Sequence, residues 1–259
     1  MYIATLLEGS ALGSSILGVV FALVYMKQNN INEKLKVNIH GASSTAKYFF
    51  ENFSSDLFEI ICMPISNRLI NGLTHPGTTD IDSVELFYTP GTPGYSLFET
   101  DYDILQEIFT IFWKSFGLLD NISIVNSNYT CLHIRRGDKL IYEKSLKVHS
   151  INEYASKIEE YKLQESSIVI VTDQYDTFLD FKTSHPNWNI STTSLPDNKG
   201  FNITNINKDS EYNIKKEVTR MLEDFNYIIK SNYFIGTRSS TVSFLGKLLR
   251  KNINSILLD

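Results

Sequence analysis

"TCLHIRRGDKLIYE" (Thr130–Glu143) runs from a short apolar stretch straight into Arg135, Arg136, Asp138 and Lys139. The apolar part reads as a strand. Its alternation puts His133 and Arg135 on one face and turns Leu132 and Ile134 the other way, into packing. The charges begin where the strand ends, and in an open parallel sheet that edge is where ligands bind. The fold therefore turns on whether the rest of the chain supplies such a sheet.

It does from Asn128 onward. After "YTCLHIR" comes "SINEYASKIEEYKL" (Ser150–Leu163), a helix opened by Ser150 with Glu153 three residues on, the spacing of a capping box. "SIVIVTD" (Ser167–Asp173) is a strand ending in an acid, and "YDTFLDFKTSHP" is a helix stopped by Pro186. "NWNISTT" is a further strand. In "SEYNIKKEVTRMLEDFNYIIKS" (Ser210–Ser231), Ile214, Val218, Met221, Leu222, Phe225, Ile228 and Ile229 form one apolar stripe. "YFIGT", "SSTVSFLGKLLR" and "NSILL" close the chain as strand, helix and strand.

The first half repeats the rhythm less clearly. "YIATLL" (Tyr2–Leu7) is a strand, "EGSALGSS" a small-residue loop containing Gly13, and "ILGVVFALVYM" (Ile16–Met26) a buried helix. Eleven apolar residues are too few to span a bilayer, and no basic segment precedes them as in a signal peptide. "KVNIHG", a helix at "SSTAKYFFENF" and "LFEIICM" follow. Residues 64–100, with Pro64, Pro76, Pro90 and Pro93, read as irregular loops, and "DYDILQEIFTIFWKSF" recovers helical spacing. The pattern predicts an α/β protein, two Rossmann-like halves with mostly parallel sheets, helices on both faces and a ligand cleft. The halves are expected over 1–125, with the Gly-containing loop, and over 126–259.

Composition narrows the function. Of 259 residues 42% are hydrophobic, ample for packed cores, and the net charge of −5 has no long basic run. Nucleic acid and anionic membranes are therefore unsupported partners. Cys62 and Cys131 make no disulfide framework, so a cytoplasmic setting is the expectation, and no transmembrane segment is read. Sequons at Asn52, Asn121, Asn128, Asn189 and Asn202 carry weight only in a secreted chain.

The strand ends of the second half are polar in a way that suits a sugar nucleotide. They bring Arg135, Arg136, Asp138 and Lys139, then Thr172 and Asp173, then Thr237, Arg238, Ser239 and Ser240. A guanidinium matches phosphate oxygens two at a time, and Ser240 opens a helix whose first amides favour an anion. A diphosphate accounts for the cluster.

"HIRRGDKLIYE" with the later "INEY" resembles the donor motif of the α1,6-fucosyltransferases, the group of core N-glycan and Nod-factor fucosyltransferases. His133, Arg135, Arg136, Asp138, Lys139 and Glu143 stand at its spacing. The likeness continues through "VTDQYDTFLDFKTSHPNWNI" and "LEDFNYIIKSNYFIGTRSST", and loosely through "GSALGSSILGVVFALVY". It implies a GT-B fold, GDP-fucose as donor, inversion at the anomeric carbon, and no metal or other cofactor. It also implies that His133 and Asp224 meet the guanine, that Arg135 and Ser240 hold the diphosphate, and that Glu143 is the base with Lys139 beside it. Arg136, Asp138, Asp173, Thr237, Ser239 and Gly13 complete the expected donor site. Gln174 stands where the family favours a second acid and Thr241 where it favours an amide; both departures bear on the acceptor more than on the donor.

Other readings stay beside this one. Arg136-Gly137-Asp138 spells an adhesion tripeptide but abuts a buried strand. Asp80–Asp82 and Asp101–Asp103 resemble metal-binding D-x-D pairs, yet neither ends an apolar strand, and capping or solvation explains them. His40, His75, His149 and His185 have no ligand spacing and are read as structural; Trp113 and Trp188 are read as core. The expected activity is transfer of fucose from GDP-fucose to a glycan hydroxyl. Alternatives are another nucleotide sugar on the same fold, or a non-catalytic sugar-nucleotide or glycan-binding protein. Acceptor, linkage and oligomeric state leave no trace in the sequence.

Overall fold

Short β-branched runs alternating with striped helices assemble, in the computed structural model, into two parallel sheets. The structure describes residues 2–6, 12–53, 55–62, 84–86, 102–116, 127–137, 148–206, 208–238, 240–250 and 254–258. Strands β1 (Tyr2–Thr5), β2 (Leu35–Asn38), β3 (Phe58–Ile61) and β4 (Val84–Leu86) form a sheet in the order β3-β2-β1-β4. Strands β5 (Ser127–Ile134), β6 (Ser167–Thr172), β7 (Ile190–Thr192), β8 (Ser231–Thr237) and β9 (Ser255–Leu258) form the other, β7-β6-β5-β8-β9. Every strand pairing in both is parallel, as expected for an α/β protein.

The helices are α1 (Leu12–Gln28), α2 (Ser44–Asn52), α3 (Tyr102–Ser115), α4 (Ile151–Glu160), α5 (Tyr175–Ser184), α6 (Ile203–Ile206), α7 (Glu211–Lys230) and α8 (Thr241–Leu249). The chain divides into two compact units. One is Met1–Asn121 with Asn207–Val218, and the other is Ile122–Ile206 with Thr219–Asp259.

In the first unit α1 is buried on nearly all sides, with Ile16, Val19 and Val20 fully enclosed. It begins at Leu12, so Gly13 belongs to its buried first turn and not to a loop before it. Among the described residues no helix is long and apolar enough to cross a membrane. Aromatic rings from α2, β3 and α3 fill the core: Phe49 lies 5.0 Å from Phe116, and Phe112 lies 4.9 Å from the same ring. Trp113 is enclosed with them, as read. Of the proline-containing stretch read as irregular loops only residues 84–86 are described, and they form a strand that periodicity missed, β4, whose three residues are too few to show alternation; it pairs with β1. The four-residue α6 was missed for the same reason.

The second sheet is covered on both faces. Leu132 and Ile134 pack with Tyr154, Ala155 and Ile158 of α4 and with Phe178 and Phe181 of α5. Cys131 points the other way, onto Val171, Phe234 and Ile228 of α7, where burial pushes its thiol pKa up. The alternation read in β5 therefore holds, with both faces buried.

The join from α7 to β8 has no loop residue: the helix ends at Lys230 and the strand starts at Ser231. The last carbonyls of a helix lack intrahelical partners. Arg250, 4% exposed, satisfies them from across the fold. Its Nη1 donates to the carbonyls of Ile228 (2.8 Å), Ile229 (3.2 Å) and Ser231 (2.6 Å), and Nη2 donates to the Asn232 carbonyl at 3.2 Å. Nε donates to Ser255 Oγ at 3.0 Å, tying in β9. Burial lowers the Arg250 pKa, yet arginine stays protonated.

Arg250→Ala is expected to lower the unfolding free energy by about 3–5 kcal/mol, since it strands several buried carbonyls at once. Arg250→Lys should recover little, because one ammonium cannot reach the same acceptors. Urea denaturation of the three proteins checks both.

Candidate functional site

In the second sheet β5 is central, and the chain passes from β5 to β6 on one side and to β8 on the other. The strand order reverses between β5 and β8, and such a switch point opens a crevice at the carboxyl ends. Arg135, Arg136 and Gly137 follow β5 there, Asp173 follows β6, and Thr237 ends β8.

Asp173 organises the cluster. Its Oδ1 accepts from the Arg136 backbone N–H at 2.8 Å, and its Oδ2 accepts from the Phe201 N–H at 3.0 Å and from Arg135 Nη1. Arg135 carries its guanidinium over the Phe201 ring, 5.0 Å from the centroid, a cation–π contact. The carboxylate and the ring together fix the plane of that guanidinium.

The approach requires glycine at two places. Gly137 has φ 50° and Gly200 φ 102°, in the region L side chains rarely adopt. A Cβ on Gly137 would collide with Asp173 Oδ2 and the Phe201 backbone, and one on Gly200 would stand 2.7 Å from the Gly137 Cα.

Arg136 folds back along the chain, its Nη1 donating to the Arg135 carbonyl at 3.4 Å. Its Nη2 donates to the His149 carbonyl at 2.9 Å, and burial lowers its pKa, against the opposing pull of Tyr154, Asp173 and Asp180. His149, buried, meets Glu153 at 3.0 Å, and Glu153 closes the expected capping box with Ser150. His149 is thus structural, as read, and supports Arg136. Arg136 also lines an open groove of about 570 Å³ with Ser150, Asn152, Thr177 and Asp180.

His133 is buried, its carbonyl accepting from Tyr154 Oη at 3.2 Å and its Nδ1 lying 2.6 Å from Ser243 Oγ in α8. Burial pushes the Tyr154 phenol up, so it remains a donor. Ser240, also buried, is the N-cap of α8, without a side-chain cap bond. Asp224, at the edge of the α7 stripe where a carboxylate needs a partner, accepts from Thr193 Oγ1 at 3.0 Å.

The structure thus brings His133, Arg135, Arg136, Asp173, Thr237 and Ser240 to one edge of one sheet. Gly13 lies in the other unit. Asp138, Lys139, Glu143 and Ser239 lie outside the described residues, as do His75 and the pair at Asp80–Asp82. Among the described residues no cluster of three or more His, Cys, Asp or Glu could hold a metal ion. Phe201, Gly200 and Ser243 were not found from sequence. Phe201 sits 28 residues from the acid it binds, and only the left-handed turn at Gly200 would have signalled the contact.

No protein-family model matches the chain, and no curated protein matches it by sequence. Among solved structures it is similar to the NodZ alpha-1,6-fucosyltransferase from crystals soaked with GDP-fucose. The TM-score is 0.54 at 11% identity, covering 96% of this chain and 92% of that one. It is also similar to a mutant of Arabidopsis thaliana FUT1 in complex with GDP. There the TM-score is 0.52 at 10% identity, over 96% of this chain and 68% of that one. The chain shares their fold, mixed α/β with parallel sheets, of the GT-B type.

Asp173→Asn puts an amide where two backbone N–H groups and a guanidinium converge. It should lower stability by about 2–4 kcal/mol, whereas Asp176→Asn, on the exposed start of α5, should stay within about 0.5 kcal/mol. Chemical denaturation of the pair is the check.

Proposed function

We propose that the protein is a glycosyltransferase that transfers fucose from GDP-fucose to a hydroxyl of a glycan or glycoconjugate, with inversion. The observation that carries this reading is the Arg135–Asp173–Phe201 cluster at the switch point of a sheet in a fold shared with two fucosyltransferases. Donor binding belongs to the second unit and acceptor recognition to the first.

Arg135 and Arg136 against Asp173 leave an excess of fixed positive charge. Asp173 takes one Arg135 nitrogen and sets the guanidinium plane, which suits engagement of phosphate oxygens. As the bond to the sugar breaks, charge grows on the leaving diphosphate, and a preoriented cation stabilises it without reorganising. We assign that role to Arg135, with Lys139 taken from the sequence motif alone as a second cation, and donor contact to Thr237 and Ser240 at the start of α8, with Ser239 taken from the motif alone. His133 and Asp224 recognise the guanine. Glu143 takes the proton of the attacking hydroxyl. Since side chains supply the positive charge, the reading needs no metal and no other cofactor.

GDP and GDP-fucose should raise the melting temperature more than UDP or UDP-sugars do, because a ligand that binds only the folded state stabilises it. Equal shifts from UDP-sugars would move the assignment to another donor. GDP binding without donor turnover would leave a binding protein.

Glu143→Gln keeps shape but cannot accept a proton. It should leave GDP affinity nearly unchanged and lower kcat by about 10²–10⁴, whereas Arg135→Ala should weaken both. Calorimetric titration with GDP beside transfer kinetics separates them; native turnover by the Gln variant would remove Glu143 as base.

A further inference from the structure

We infer that Ser243 is a specificity-determining positioning residue: it holds His133 in a single tautomer, with the proton on Nε2, so that this imidazole presents only a donor to a base. The inference rests on the nucleotide-sugar reading for its ligand, but not for its geometry.

Ser243 is fully enclosed within α8. Among the described residues its hydroxyl has two hydrogen-bond partners. The Thr237 backbone N–H, 3.1 Å away, can only donate to it. His133 Nδ1, 2.6 Å away, is then the one group that can take the serine's own proton. Were Nδ1 protonated, the hydroxyl would accept twice and its proton would be stranded in a fully enclosed site, at the cost of an unmade buried hydrogen bond. Nδ1 therefore accepts, and the ring proton sits on Nε2.

The device is sterically built. A Cβ on Gly236 would stand 2.5 Å from Ser243 Oγ and 2.8 Å from both Ser243 Cβ and Phe234 Cζ. Only glycine there lets α8 bring its hydroxyl onto β8 and across to β5. The His133 carbonyl is pinned separately by Tyr154, so backbone and ring are both held. The ordering of a second-layer partner behind a histidine is a general way to set which nitrogen carries the proton.

The chemical consequence is a choice among base edges. An imidazole that only donates accepts a carbonyl edge, such as the 6-oxo group of guanine or hypoxanthine, and rejects the 6-amino edge of adenine, where two donors would meet. A site that pairs a polar group discriminates far better than one that relies on shape.

Two measurements test this. Long-range ¹H–¹⁵N spectra of the labelled wild-type protein, with His133 assigned by its loss in His133→Asn, should show the Nε2–H tautomer; the Nδ1–H form would overturn the inference, whether or not any variant folds. Calorimetry should then show tighter binding of IDP than of ADP, two nucleotides that differ at the 6-position. Ser243→Ala should shrink that ratio roughly tenfold and give mixed tautomers, with partial return in Ser243→Thr. A Ser243→Ala protein that keeps the wild-type ratio would also overturn it. Wild-type protein that shows the Nε2–H form but binds neither GDP nor IDP would overturn the nucleotide reading, and with it the selectivity.

Discussion

One carboxylate has three donors to satisfy, and much of the second unit is arranged around that. Asp173 gathers the end of β5, the end of β6 and the turn before α6 onto two oxygens. A carboxylate at 9% exposure is stable only if it is paired and bonded. The two facing glycines follow from this need, since either with a side chain would hold the Phe201 N–H away. So does the attitude of Arg135, which is bound on its edge by the acid and on its face by the ring.

Three arginines show how differently one side chain is used in this fold. Arg250 is sunk into the packing and serves chiefly backbone carbonyls, with the Ser231 and Ser255 hydroxyls beside them. Arg136 is half sunk, serving the loop that starts α4, and burial shifts both of them in the same direction. Arg135 alone of the three answers to a carboxylate and an aromatic ring, at the carboxyl edge of the sheet. Planarity and five donors permit all three uses.

The sheet was legible because both of its signals are short-range. β5 showed its two faces at Leu132 and Ile134 against His133, and Ser150 with Glu153 announced the start of α4 in four residues. The site was legible as a set of strand ends but not as a network. Arg135 and Arg136 are adjacent and chemically identical, and nothing local says that one supports a loop while the other lies over Phe201. Asp173 read as a polar strand end facing the donor, yet its oxygens are engaged within the protein, a pairing that depends on Phe201 returning from a distant turn. Ser243 was indistinguishable from any small residue of an apolar helix. Gly13 looked like a turn residue because small residues flank it, and the packing of α1 drew it into the helix.

The loopless join of α7 to β8 makes helix length a ruler. Most connections absorb an insertion by bulging at the surface; between Lys230 and Ser231 there is no slack, and Arg250 clamps both sides. A single residue added there would slide β8 by one position, and a strand that slips by one turns every side chain to the opposite face. Phe234 would leave its place against Cys131 and Val171, and Thr237 would arrive out of phase with Ser243. Length variation within α7 is therefore confined to steps that preserve this phase, and natural indels should collect elsewhere in the chain.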